Sequence, residues 1–117
     1  MKFIEIDRKL ITDKYLDIDG CDNLYCLKLN DKTIGLGVID LRKDNIIDFY
    51  IIKEYQGNGY GKILFENLLE KLKEKGYKEI TLDIDSENIK LVKIISDFNG
   101  LHISSKGEIS RYVIPIK

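Results

Sequence analysis

Tyr55-Gln56-Gly57-Asn58-Gly59-Tyr60-Gly61-Lys62 joins a segment that reads as strand to one that reads as helix. Upstream, Asn45-Ile46-Ile47-Asp48-Phe49-Tyr50-Ile51-Ile52 is rich in β-branched and aromatic residues, the composition of a largely buried strand. Downstream, residues 63–75 have helical periodicity: Leu64, Leu68 and Leu72 fall on one stripe, widened by Ile63, Phe65 and Leu69, and Gly76 supplies the stop. A helix start leaves backbone N–H groups unpaired and carries partial positive charge, so it receives anions. The first turn here holds Lys62, and its earliest carboxylate is Glu66, which opposes the helix dipole but suits an incoming diphosphate. A glycine turn without a ligand is the plainer alternative; strand, glycines, basic first turn and helix together favour phosphate binding.

Spacing narrows the choice of phosphate ligand. A Walker A loop requires Ser or Thr after Gly-Lys and a glycine five residues before the second one; here Ile63 and Gln56 occupy those places, so magnesium-dependent nucleotide hydrolysis is not expected. The dinucleotide fingerprint fails because its third glycine comes one residue early and the upstream chain lacks alternating strands and helices. The pattern left is Gln56-x-x-Gly59-x-Gly61.

That pattern resembles the acyl-coenzyme A loop of the GNAT superfamily of N-acetyltransferases, Gln/Arg-x-x-Gly-x-Gly/Ala between strand and helix. The resemblance covers residues 33–101: Asp48-Phe49-Tyr50-Ile51 is similar to the acidic-aromatic strand ending, Lys53-Glu54-Tyr55 to the short link, and Gly76-Tyr77-Lys78-Glu79-Ile80 to the turn into the next strand. It implies an α+β fold with a mixed sheet, mostly antiparallel and twisted, of about six to seven strands, with helices on both faces. The N-terminal helical region is shorter than usual, which leaves the acceptor site more open.

Bulk properties agree with one small soluble domain over residues 1–117: 44% of residues are hydrophobic and 33% charged, enough for one core. No apolar run approaches a membrane-spanning length, and Met1-Lys2-Phe3-Ile4-Glu5 does not open a signal peptide, so a cytoplasmic location and no membrane partner are expected. A net charge of -1 with no basic stripe argues against nucleic acid. Cys21, Cys26 and the single histidine, His102, do not make a metal set, and two reduced thiols are the reading. A cysteine nucleophile assisted by His102 is disfavoured, because nothing local marks either thiol as activated.

Along the chain we expect a strand at 2–6, an acidic stretch to Asn23 with one short helix around 10–16, antiparallel strands at 24–30 and 33–42 joined across Asn30-Asp31-Lys32, and a turn at 43–45. Residues 78–85 alternate, with Ile80, Leu82 and Ile84 on one side and Thr81, Asp83 and Asp85 on the other. Ser86 or Asp85 is the expected cap of a second helix with the stripe Leu91, Ile94, Ile95 and Phe98, ended by Asn99-Gly100. Closing strands at 102–105 and 108–116 turn at Lys106-Gly107, and Pro115 suits an edge strand.

An amine of pKa about 10.4 must lose a proton before it attacks a thioester. In acetyltransferases of ribosomal-protein N-termini a carboxylate five residues before an asparagine is the proposed base, and counting back from Asn88 reaches Asp83. A solvated strand carboxylate is the alternative. Asp48 offers a second carboxylate, for acceptor recognition or an ordinary hydrogen bond, whereas Asn45 stands where relatives often carry a glutamate base. By the resemblance, acetyl-coenzyme A is bound by Gln56, Gly57, Asn58, Gly59, Tyr60, Gly61 and Lys62 at its pyrophosphate, by the backbone of Tyr50, Ile51 and Ile52 along the thioester arm and oxyanion, and by Asn88. The family's general-acid tyrosine has no counterpart, since the matching positions are Ile95 and Ser96; Tyr112 and Tyr60 are the substitutes in view. Two readings stand: an N-acetyltransferase acting on a small-molecule or peptide amine, and an acyl-coenzyme A-binding module of the same fold without useful turnover. The acceptor and the oligomeric state are open, a homodimer among the options.

Overall fold

The computed structural model describes residues 1–6 and 23–117, so the helix expected around residues 10–16 and Cys21 lie outside the described residues. The chain falls into two compact units, Met1–Leu68 and Leu69–Lys117. It contains seven strands and two α-helices among the described residues.

In the first unit, β1 (Lys2–Ile6), β2 (Asn23–Leu29), β3 (Lys32–Ile39) and β4 (Ile47–Ile51) form an antiparallel sheet in that order. The β2–β3 hairpin closes through Asn30 and Asp31, both with positive φ (50° and 67°), residue types that tolerate the left-handed region a two-residue hairpin needs. Leu24, Cys26, Leu36 and Val38 build one apolar face, with Ile6 and Tyr50 packed against it. On the opposite face Gly35 and Gly37 of β3 let helix α1 (Tyr60–Glu74) approach: a Cβ on Gly35 would sit 2.7 Å from Ile51 Cδ1 and 3.2 Å from Leu64 Cδ2, and one on Gly37 would sit 3.0 Å from Leu68. Phe65 meets Phe49 edge-on at 5.6 Å. The helix starts three residues before its predicted first residue, and Ile63 is exposed beside the stripe formed by Leu64, Phe65, Leu68, Leu69 and Leu72.

The turn from β3 to β4 is organised by the buried Asp40. Its carboxylate accepts from the Arg42 amide (3.1 Å) and from Arg42 Nε and Nη2 (2.9 and 2.8 Å), while its own N–H donates to the Ile46 carbonyl (2.9 Å).

In the second unit, α1 ends at Gly76 (φ 94°), whose N–H donates to Lys73 O while Tyr77 N–H reaches back to Leu72 O. Then come β5 (Glu79–Asp85), α2 (Ile89–Asp97), β6 (Leu101–Lys106) and β7 (Ile109–Pro115), with an antiparallel sheet in the order β5-β7-β6. Ile80, Leu82 and Ile84 are buried as alternation requires, together with Ile95 and Ile114. The seven strands and their antiparallel pairing agree with the expected α+β class; they are divided between a four-stranded and a three-stranded sheet.

Two local expectations are corrected. The cap of α2 is Asn88, whose Oδ1 accepts from Leu91 N–H at 3.3 Å, because Asp85 is still in the strand and spends its carboxylate on Glu87 N–H. Pro115 lies on β7, the middle strand of its sheet, at the strand's last position. Ile116 N–H bonds Lys78 O on the β5 side, so alternation aims the Pro115 nitrogen toward the β6 side, where the ladder already ends at Leu101 and Val113.

No helix among the described residues is long and apolar enough to cross a membrane.

Candidate functional site

The glycine loop is built from the end of β4 outward. A single 3-10 turn, Lys53–Tyr55, follows Ile52, and Gln56 then folds back so that its side-chain amide donates to Ile51 O at 2.8 Å. Gly57 and Gly59 have φ of 82° and 83°, a region an L side chain enters only with strain. Between them Asn58 donates to the carbonyls of Tyr55 and Gln56 (3.3 Å each). Tyr55 and Tyr60 meet edge-on across the loop at 6.5 Å.

The first helical bond of α1 runs from Ile63 N–H to Gly59 O (3.4 Å), so the amides of Tyr60 and Gly61 have no intrahelical acceptor. The first turn contains no acidic residue, and Lys62 is exposed within it. A Cβ built on Gly57 or Gly59 meets no atom within 4 Å, so open space adjoins the backbone at both positions. Exposed amides, the positive end of the helix dipole, a lysine and open space beside the glycines form a donor set that fits a diphosphate.

Among the described residues β4 is the last strand of its sheet. Ile52 N–H donates to Ile34 O (2.8 Å) and Asp40 N–H to Ile46 O, which fixes the alternation: Tyr50 and Ile52 turn their amides toward β3, while Phe49 and Ile51 turn theirs away from it. Of the three residues expected to lend backbone donors to the thioester arm, only Ile51 therefore has the required orientation. Its carbonyl is held by Gln56, and the Phe49 N–H is taken by Asp48 Oδ1 at 2.9 Å. Desolvation raises the Asp48 carboxyl above the ordinary carboxylate range, opposed by that amide and by the Lys43 charge.

In the second unit Asp83 stands at the centre of β5, opposite Arg111 of β7. Arg111 Nε and Nη2 donate to the two carboxylate oxygens at 2.7 and 2.9 Å. This fork holds the Asp83 carboxyl below its usual range and makes it a weaker proton acceptor than an unpaired aspartate. Arg111 was not foreseen: its pairing depends on the register between strands 28 residues apart, which no local pattern encodes. Asn88, besides capping α2, is exposed.

One further polar grouping was invisible in the sequence. His102 Nε2 lies 2.6 Å from Ser105 Oγ, which continues to buried Ser110 (3.2 Å) and on to Ser86 (2.6 Å). Cys26 is a free thiol in the core of the first unit, and burial pushes its pKa up. No cluster of His, Cys, Asp and Glu suited to a metal occurs among the described residues.

A family model described as the acetyltransferase (GNAT) family matches residues 3–96. The chain belongs to the GNAT family. Acetyl-coenzyme A is the acyl donor of this family. Over 61 residues the chain is 33% identical to the [ribosomal protein bS18]-alanine N-acetyltransferase of Haemophilus influenzae, a match covering 50% of this chain and 42% of that enzyme. The chain thus aligns with less than half the length of this curated GNAT relative.

Solved GNAT structures share the fold at low identity. The IAA acetyltransferase from Bacillus cereus superposes with a TM-score of 0.74 at 15% identity over 97% of this chain and 98% of its own. A GNAT family acetyltransferase from Elizabethkingia anophelis, solved with acetyl-coenzyme A bound, gives 0.73 at 13% identity over 97% of each chain. At the two positions expected from the sequence to match the family's general-acid tyrosine, Ile95 is fully buried and Ser96 is exposed. Of the two substitutes, Tyr112 packs on the His102 ring at 5.3 Å and Tyr60 opens α1 beside Tyr55.

Proposed function

We propose that this chain is an N-acetyltransferase that moves the acetyl group of acetyl-coenzyme A to the primary amine of a small molecule or peptide, its 117 residues acting as one catalytic domain. One observation carries the reading: the glycine loop opens its amides, at the positive end of a helix without first-turn carboxylates, beside free space at Gly57 and Gly59. In this reading the pyrophosphate is held by Gln56, Gly57, Asn58, Gly59, Tyr60, Gly61 and Lys62. The Ile51 amide polarises the thioester carbonyl, Tyr50 and Ile52 flank the arm, and Asn88 adds a polar contact. Acetyl-coenzyme A supplies the activated acetyl group; the chain orients the amine and removes its proton. Asp83 is the carboxylate assigned to that proton, with Asp48 beside β4 as acceptor-recognition residue. Tyr60 supplies the acid in place of the missing tyrosine, because Tyr112 stands opposite Leu82 and so on the other face of its sheet from Asp83.

Calorimetric titration with acetyl-coenzyme A and a thiol-release assay over amines and peptides test this. Binding in the parent that is lost in Gly59→Glu, with thiol release reduced at least tenfold in Asp83→Asn, is the expected result. Equal affinity in parent and Gly59→Glu overturns the loop's role, and binding without thiol release from any acceptor returns the chain to the acyl-coenzyme A-binding module.

A further inference from the structure

The ion pair between β5 and β7 has the geometry of a two-point binding site. Asp83 and Arg111 face each other directly across the ladder, with Ser104 of β6 on the other side of Arg111. Their side chains keep 30% and 50% of their accessible surface, so solvent reaches both partners of a two-point contact. Exposed ion pairs contribute little net stability, and exchanging partners in one is correspondingly easy. The guanidinium fork matches any planar carboxylate, not only that of Asp83.

We propose that the acceptor is a zwitterion of the α-amino acid type, whose carboxylate takes Arg111 from Asp83 while its ammonium group takes Asp83 from Arg111. The exchange is charge-neutral: one ion pair in the protein and one within the ligand become two ion pairs between them. It also removes the obstacle described above. While Arg111 holds both oxygens, Asp83 is a poor base; once a ligand carboxylate occupies the fork, the aspartate faces the ammonium group whose proton must leave. Among the described residues of these strands, the other charged groups on this face are Glu79 and Asp85 on β5, four and two residues from Asp83, and Lys106 on β6, two residues from Ser104.

The step balances as follows. Asp83 accepts one proton from the ammonium group, and the amine nitrogen forms a bond to the acetyl carbon as the carbon–sulfur bond breaks. The sulfur leaves with the electron pair and takes a proton from the acid tyrosine, the new amide nitrogen passes its second proton to that tyrosine, and Asp83 returns its proton to water. This inference rests on the acetyl transfer proposed above and on Asp83 being its base.

The test compares amino acids with their decarboxylated counterparts, phenylalanine against phenethylamine and leucine against isoamylamine, in the thiol-release assay. We expect kcat/KM at least tenfold higher for each amino acid, and in Arg111→Gln a ratio near one, the loss appearing mainly as a raised KM for the amino acid. Arg111→Lys, which keeps the charge and loses the fork, should recover only part of the preference. Acetyl-coenzyme A titration of each variant reports whether it is folded and cofactor-competent. Equal kcat/KM for the members of a pair, with turnover present, overturns the inference and leaves acetyl transfer standing. No thiol release from any acceptor overturns the inference too, and loss of acetyl-coenzyme A binding by the parent would remove the underlying function with it.

Discussion

The side-chain amide of Gln56 donates to the carbonyl of Ile51 at 2.8 Å, tying the glycine loop to the end of β4. One contact thus sets the direction of the loop and removes an edge carbonyl next to the Ile51 amide. Gln56→Ala should cost about 0.5–1.5 kcal/mol of stability, the usual net value of such a bond, and weaken acetyl-coenzyme A binding by roughly two- to tenfold. Urea unfolding and calorimetry measure the two effects separately.

Gly59 has φ of 83° with no atom near its Cβ direction. Gly59→Ala should therefore be destabilising for conformational reasons alone, by about 1–2 kcal/mol, with no steric contribution. A thermal melt that leaves the midpoint unchanged would contradict the left-handed geometry of the loop.

Asn88 has a structural duty in α2 and a proposed one toward the coenzyme, and two substitutions separate them. Asn88→Ala removes the cap and should cost about 0.5–2 kcal/mol; Asn88→Ser keeps a capping oxygen and should be close to neutral in stability. If the serine variant binds acetyl-coenzyme A as well as the parent does, Asn88 is a cap only.

Asp40 makes stability depend on acid in a defined direction. Hydrogen bonds from Arg42 lower its carboxyl to about 2, against the ordinary aspartate value of about 3.9 in the unfolded chain. A depressed folded value means that the unfolded chain binds the proton first, so this contribution is whole above pH of about 4 and is lost as pH falls toward about 2. Denaturant unfolding between those limits should show a shallower pH slope in Asp40→Asn than in the parent.

Gly100 adjoins Ile95 so closely that a Cβ would overlap the Ile95 side chain and lie 2.8 Å from its carbonyl oxygen. Overpacking of this kind costs about 1–3 kcal/mol, and Gly100→Ala should lower the unfolding midpoint of the protein accordingly.

The elements were legible because their signals are local. Alternation at Ile80, Leu82 and Ile84, the leucine stripe of α1 and the Asn30-Asp31 hairpin each need only a few neighbouring residues, and the glycine loop announces itself by spacing. Register is different in kind. That Ile52 spends its amide on Ile34, that Asp83 meets Arg111, and that Ser110 completes a chain of hydroxyls from His102 all depend on which residues face one another across strands distant in sequence. Asn88 shows the same limit at short range: Ser86, Asp85 and Asn88 are all competent caps, and the choice follows from where β5 releases the chain. Ile63 is exposed because it stands about 100° round the helix from Leu64, at the margin of the stripe.

Strand β6 is the terminal strand of its sheet among the described residues, and its pairing with β7 is interrupted between His102 and Ser104, leaving Ile103 as an extra residue. A foreign strand laid along such an interrupted margin meets two residues where its own repeat supplies one. The mismatch discourages edge-to-edge pairing of folded copies along a margin where Leu101 and Ile103 are exposed.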